Sequence, residues 1–270
     1  MKVAAVVIWY NPVVEFLDNI ASYSQHVDKV IVVDNSPTDN SNLFVGHPEI
    51  EYLPLLENRG IAAALNIGLR LASEKGMEWA LTMDQDSHFD AKDIKAFLND
   101  EAEHFKQSNV AIFAPITNQN QLKGSRDIDC TITSGSLTNL SIFKDSTGFD
   151  ESLFIDEVDH EYCYRMKRHG HRIVRLDDIF MHHRLGDPIG VKILGRRFTS
   201  SNHGPIRKYY MSRNRLYVRK LYPEFDIPFW KQFVRYIVCV LLLEGQKIPK
   251  FLNMARGVID YKRGKMGKRD

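Results

Sequence analysis

Apolar and polar positions along the first half of this chain switch between two periods, and the switching predicts strands and helices in turn. Residues 3–10 form a continuous apolar run that stops at Asn11-Pro12, and residues 27–33, apolar apart from Asp28 and Lys29, form a second that stops at Asp34-Asn35-Ser36. Between them, apolar residues fall at Val13, Phe16, Leu17, Ile20 and Tyr23, the spacing of one helical face. A third run, 50–56, leads through Glu57-Asn58-Arg59-Gly60 into an Ala- and Leu-rich helix over 61–72. Gly76 ends that helix, and a fourth run begins at Trp79. Strands joined through helices pair in parallel, so their C-terminal ends share one edge of a sheet, where open α/β sheets bind ligands. Further on, the pattern predicts a helix over 90–107, a strand over 110–115, a helix over 159–169 and an amphipathic helix over 229–243.

Chemistry-bearing residues gather at the predicted strand ends. The fourth run closes on Asp84-Gln85-Asp86. Carboxylates at i and i+2 of an extended chain face one side, where they repel each other unless a counter-ion joins them, and carboxylate oxygen suits a divalent cation. Solvated turns carry the same pattern, so the pair alone names no function. Asp34 is placed to accept hydrogen bonds from a ribose or a base, or to serve as a turn residue. Arg59 and Gly60 at a helix N-terminus suit an anion such as a diphosphate, while Asn58 equally reads as a residue of the helix start. Ser134 and Gly135 lie in a small polar stretch that could line a pocket or begin a strand. Asp156, Asp159 and Glu161 stand among bulky apolar residues, where burial and neighbouring acids would raise a carboxyl pKa and suit a general base; a helix N-terminus would oppose that rise. His182 and His183 supply imidazoles, which Mn²⁺ accepts beside oxygen.

Composition narrows the class. With 44% hydrophobic and 26% charged residues in 270, the chain reads as globular rather than disordered. Cys130, Cys163 and Cys239 are odd in number and lack metal-ligand spacing, which favours a reduced, cytoplasmic setting over a disulfide framework. The apolar N-terminus has no small-residue cleavage site, and no run is long enough to predict a membrane span. Residues 192–270 carry 19 of the 36 Lys and Arg but only 5 of the 34 Asp and Glu, so a net charge of +2 hides an acidic body and a basic tail. The tail allows a peripheral contact with the inner face of a membrane, a homodimer contact, or a helix packed on the body. It has no nucleic-acid-binding motif, and neither a Gly-x-Gly-x-x-Gly after the first strand nor a P-loop is present.

Taken in order, these stretches resemble glycosyltransferase family 2, and within it the rhamnosyltransferase-like branch that builds bacterial surface polysaccharides. The matching residues include Trp9-Tyr10-Asn11-Pro12, Asp34-Asn35-Ser36, Asn58-Arg59-Gly60, Asp84-Gln85-Asp86-Ser87, Thr133-Ser134-Gly135-Ser136, Asp159-x-Glu161, His183-x-x-Gly186-Asp187 and Arg207-x-Tyr209-Tyr210-x-x-Arg213-Asn214. The resemblance implies an α/β GT-A fold, a mostly parallel central sheet flanked by helices, over residues 1–222, with a basic helical extension over 223–270. It implies an inverting, metal-dependent enzyme that moves a sugar from a dTDP- or UDP-linked donor to a saccharide or lipid-linked acceptor. Tyr10, Asn11, Pro12, Asp34, Asn58, Arg59, Ser134, Gly135 and Glu161 would surround the donor. Asp84 and Asp86 would hold its ribose and a Mg²⁺ or Mn²⁺ ion, with His183 as a further metal ligand and His182 as its rival. Asp159 would be the catalytic base, with Asp156 and Glu161 as rivals, since Val158 stands where the family usually has Glu. The processive Gln-x-x-Arg-Trp motif is absent, which favours transfer of single sugars. A haloacid-dehalogenase-type phosphohydrolase and a non-catalytic sugar-nucleotide-binding protein are the alternatives; the first normally carries its Asp-x-Asp after the first strand, and the second would have no use for a base.

Overall fold

The computed structural model describes residues 1–99, 101–117, 123–183, 189–193, 196–225 and 229–269. They form two compact units, 1–151 with 159–183, and 152–158 with 184–270.

The first unit is built on β1 (Val3–Trp9), α1 (Phe16–Ser24), β2 (Lys29–Asp34), β3 (Ile50–Pro54), α2 (Ile61–Glu74), β4 (Trp79–Asp84) and β5 (Ser87–Phe89). It continues with α3 (Ala91–Phe97), β6 (Val110–Ile116), β7 (Ser125–Asp127), β8 (Ser136–Asn139), α4 (Leu140–Asp145), α5 (Val158–Arg168) and β9 (Arg172–His183). The sheet order is β3-β2-β1-β4-β8-β6-β9-β5, with β7 also on β9. Only β5, β7 and β8 run against the rest, so the sheet is mixed but mostly parallel. Register sets Trp9 beside Asp34 and Ile8 beside Asp84, which brings the acids of β2 and β4 to the same edge on either side of β1.

Every residue of β1 is buried, as its unbroken apolar run requires of a strand covered on both faces. Alternate residues Val3, Ala5, Val7 and Trp9 pack in a core with Ile20 and Tyr23 of α1, while Val6 meets α2 on the other face. A Cβ on Gly68 would lie 2.4 Å from Val6 Cγ1 and 3.0 Å from Val33 Cγ2, so only glycine lets α2 lie this close to the sheet. The helix expected over 90–107 is shorter: α3 stops at Phe97, and a 3-10 turn over Glu103–Lys106 takes its place. Asn99 Oδ1 accepts the Glu101 N–H at 3.2 Å, a local bond that competes with helix continuation, while Ile94, Phe97 and Phe105 keep the apolar face that periodicity had suggested.

The second unit contains the hairpin β10 (Ile189–Ile193) and β11 (Arg196–Ser200), then α6 (Pro205–Leu221), α7 (Phe229–Leu242) and α8 (Lys247–Lys262). A Cβ on Gly257 would stand 2.4 Å from the Tyr209 carbonyl oxygen, which marks how closely α6 and α8 cross. Arg213 is 1% exposed; it donates to the carbonyls of Gly267, Ser152 and Leu153 and lies over the rings of Tyr209 and Tyr210. Asn214 Nδ2 reaches the carbonyls of Leu153, Ile155 and Asp156 at 2.7, 2.7 and 3.1 Å. The pair thus clamps a segment in which Phe154, Asp156 and Glu157 all have positive φ, and Asp159 follows directly in the chain.

Candidate active site

Loops at the C-terminal ends of β1, β2 and β4 are tied to one another by side-chain amides and hydroxyls. Gln85, between the two acids, accepts the Tyr10 N–H at 2.8 Å and donates to the Tyr10 carbonyl at 3.1 Å. Its own carbonyl accepts Asn19 Nδ2 at 2.7 Å, so the Asp84–Asp86 turn is fixed to the end of β1 and to α1. Asn11, at φ 46°, donates its N–H to Ser36 Oγ at 2.8 Å. The Tyr10 residue is 45% exposed at this edge. Pro12, two residues on, is half-buried.

Asp34 is fully buried: Oδ1 accepts the Ser36 N–H, and Oδ2 accepts Asn40 Nδ2 and the Tyr52 hydroxyl at 2.7 and 2.8 Å. These bonds shape the loop after β2. Asn35 joins that loop to the start of α2, donating to Asn58 Oδ1 and accepting the Arg59 N–H at 2.8 Å. Asn58 Oδ1 also accepts the Gly60 N–H at 3.0 Å, and the Arg59 guanidinium pairs with Glu57 at 2.7 Å.

Asp84, Asp86 and His183 come together with one ligand atom from each within 4.8 Å of the others. Strand pairing explains the histidine. β5 runs antiparallel to β9 with Ser87 opposite His183 and His88 opposite His182. Neighbouring side chains on a strand point to opposite faces. His182 therefore stacks on His88 at 4.5 Å and lies 3.3 Å from Asp90, while His183 turns to the Asp84–Asp86 side. Ser87 Oγ lies 2.8 Å from His183 Nδ1. Ser134 Oγ donates to Ser87 Oγ at 2.8 Å and accepts the Asp84 N–H at 3.1 Å, a hydroxyl chain linking acid loop to imidazole. Gly135, at φ 75°, lets that loop in, because a Cβ there would fall 2.1 Å from Met181 Sδ. Gly186 and Asp187 lie outside the described residues.

The three candidate bases differ in what faces them. Asp156 meets Arg207 at 3.1 Å, and the buried Glu161 makes a two-pronged pair with Arg165 at 2.8 and 3.0 Å. Asp159, in the first turn of α5, has instead the His160 N–H at 2.9 Å and His160 Nδ1 at 3.0 Å. Its pKa is lowered rather than raised. Burial does push it up, but the charge and hydrogen bond of His160, with the backbone N–H groups of His160 and Asp159, outweigh burial and keep the carboxylate ionised. Asp159 also lines a narrow crevice with Thr82, Thr133 and Ser136. Thr82 is two residues before Asp84 on β4.

Sequence reasoning overlooked Gln85 as a brace and Ser87 as the histidine's partner. Both lie within Asp84-Gln85-Asp86-Ser87, where an amide between two acids was the available signal.

Solved structures of this architecture include S. aureus TarS 1–349 in complex with UDP-GlcNAc, at TM-score 0.59 and 16% identity over 98% of this chain and 82% of that one. GalNAc-T7 with UDP, GalNAc and Mn²⁺ gives TM-score 0.59 at 9% identity, covering 82% of this chain and 48% of that chain, so this chain spans about half of that protein's length. An α/β sheet of this order, with an Asp-x-Asp at the end of β4, is the GT-A fold of the glycosyltransferases. The glycosyl transferase family 2 profile matches residues 6–149. The dTDP-rhamnosyl transferase RfbF of Shigella flexneri is 33% identical over 79% of this chain and 78% of that protein. This chain belongs to glycosyl transferase family 2.

Proposed function

We propose that this protein transfers single deoxysugar residues, with rhamnose as the first choice, from a dTDP-linked donor to a hydroxyl of a saccharide or lipid-linked saccharide, inverting the anomeric centre. The convergence of Asp84, Asp86 and His183 at the sheet edge carries the reading, and the likeness to a dTDP-rhamnosyl transferase supports a dTDP-linked donor. Family membership sets aside the phosphohydrolase alternative.

Two carboxylates and an imidazole form a donor set that fits Mn²⁺ or Mg²⁺. When bound, such an ion supplies positive charge against the diphosphate of the donor. Tyr10, Asn11 and Pro12 at the end of β1, with the loop shaped by Asp34 and the α2 start at Asn58 and Arg59, offer a surface for the nucleoside. Ser134 and Gly135 border the sugar side. Asp159 takes the acceptor hydroxyl proton as that oxygen attacks the anomeric carbon opposite the leaving diphosphate. The lowered pKa leaves Asp159 ionised and so able to accept that proton. Asp156 and Glu161 are each committed to an arginine, which favours Asp159 over them. Residues 1–222 carry this chemistry, and 223–270 extend it.

The test is transfer to a synthetic glycoside acceptor from dTDP-rhamnose, with UDP-GlcNAc in parallel, and NMR of the product linkage. An inverted rhamnoside formed only with metal supports the reading. Transfer from UDP-GlcNAc alone would replace the donor, and retained configuration would remove Asp159 as base.

A further inference from the structure

We infer that the outer faces of α7 and α8 form a docking surface for an anionic lipid leaflet, an inference independent of which sugar is transferred. On α8 the buried residues Lys250, Asn253, Met254 and Gly257 occupy one side. The opposite side exposes Ile248, Leu252 and Ile259, at 73%, 54% and 45%, spaced four and then seven residues apart on a single stripe. Exposed Arg256 and Arg263 flank that stripe on one side and Lys262 on the other. On α7 the buried side is Cys239 and Val240, while Val234, Leu241 and Leu242 face outward with Arg235. The short turn between the helices sets Leu241 and Leu242 close in sequence to Lys247 and Ile248.

Charge selects the occupant. Both acids among described residues 233–269 are engaged inside the unit: Glu244 lies buried between Lys208 and Lys250, and Asp260 accepts the Tyr209 hydroxyl at 2.9 Å. The outward surface is therefore apolar and cationic with no exposed carboxylate among the described residues of this stretch. A second copy docking face to face would bring the same cations against these. An anionic leaflet instead takes the Ile and Leu side chains below its headgroups and the Arg and Lys at phosphate level. No helix among the described residues is long and apolar enough to cross a membrane, so the helices would lie along the surface.

Flotation of the full chain with phosphatidylcholine vesicles, with and without one-third phosphatidylglycerol, tests this. Binding should require phosphatidylglycerol and fall in about 1 M salt, where the Debye length is about 3 Å. Ile248→Glu with Leu252→Glu, and separately Arg256→Gln with Arg263→Gln, should each cut the bound fraction about tenfold. Both side-chain pairs are exposed, so an unchanged melting temperature confirms folding. Absence of binding to either vesicle, equal binding to both, or variants that bind like the parent would overturn the inference. So would a dimer in light scattering that Ile248→Glu with Leu252→Glu dissociates, since that would assign the face to a second copy.

Discussion

Charge is handled in opposite ways at Glu244 of the second unit and at the Asp84–Asp86 edge of the first. In the second, Glu244 is completely buried but sits between Lys208 and Lys250 at 2.8 and 2.7 Å, with the Ser200 hydroxyl donating to it as well. Glu157 is likewise matched to Arg215 at 2.7 Å. In the first unit, Asp84 and Asp86 are crowded together on the same side as an imidazole, an arrangement that like charges oppose. Opposite charges brought together in the interior offset one another, whereas like charges gathered at a sheet edge favour a cation among them.

Removing charge should therefore cost stability at Glu244 and binding or turnover at the acid edge. The largest effect is expected for Glu244→Gln, which leaves two buried ammonium groups without their carboxylate and should cost about 3–5 kcal/mol in chemical denaturation. A loss under 1 kcal/mol would remove Glu244 from its place in the scaffold. Next, Asp159→Asn should lower kcat about 10²- to 10⁴-fold with donor affinity nearly unchanged in calorimetry. Equal loss of both would make Asp159 a binding residue. Ser87→Ala, which takes away the hydroxyl beside His183 Nδ1, should weaken Mn²⁺ binding about 10- to 100-fold, read by electron paramagnetic resonance, with thermal stability almost intact. Unaltered Mn²⁺ affinity would show that the hydroxyl chain does not orient the imidazole.

The smallest expected effect concerns pH. His203 is pushed down to about 4 by burial, then by Arg207, Lys208 and Lys250, with Glu244 opposing. Below its ordinary value near 6.5, the unfolded chain binds a proton that the folded chain refuses, so stability falls as pH drops from about 6.5 toward 4. After discounting for partial exposure this amounts to about 1–2 kcal/mol. His203→Gln should flatten that part of the stability profile; an unaltered slope would place the acid sensitivity elsewhere.

The parts of this molecule written in local pattern were readable in its sequence. Four apolar runs gave β1 to β4, and the residues just beyond them lie at one edge because parallel strands end together. The acids Asp84 and Asp86 were visible for the same reason. Partnership across the chain was not. β5 has three residues, too few for a period, yet its pairing with β9 decides that His183 and not His182 faces the acids. The Asn99 turn that cuts short the helix after Asp90 is a side-chain bond that an amphipathic count does not register. Arg213 and Asn214 read as part of a basic motif, but both are buried, and their hydrogen bonds hold the backbone that precedes Asp159. The direction of the Asp159 shift also escaped, because it depends on the ring of the next residue folding back onto the carboxylate.

We propose that Asp84, Asp86 and His183 form one metal site serving a nucleoside diphosphate. Calorimetric titration of dTDP into the full chain, with and without Mn²⁺, and again with His183→Ala, tests it most directly. Binding should be at least about tenfold tighter with Mn²⁺ in the parent, and that gain should be lost in the variant. Equal dTDP affinity with and without Mn²⁺ in the parent would contradict it.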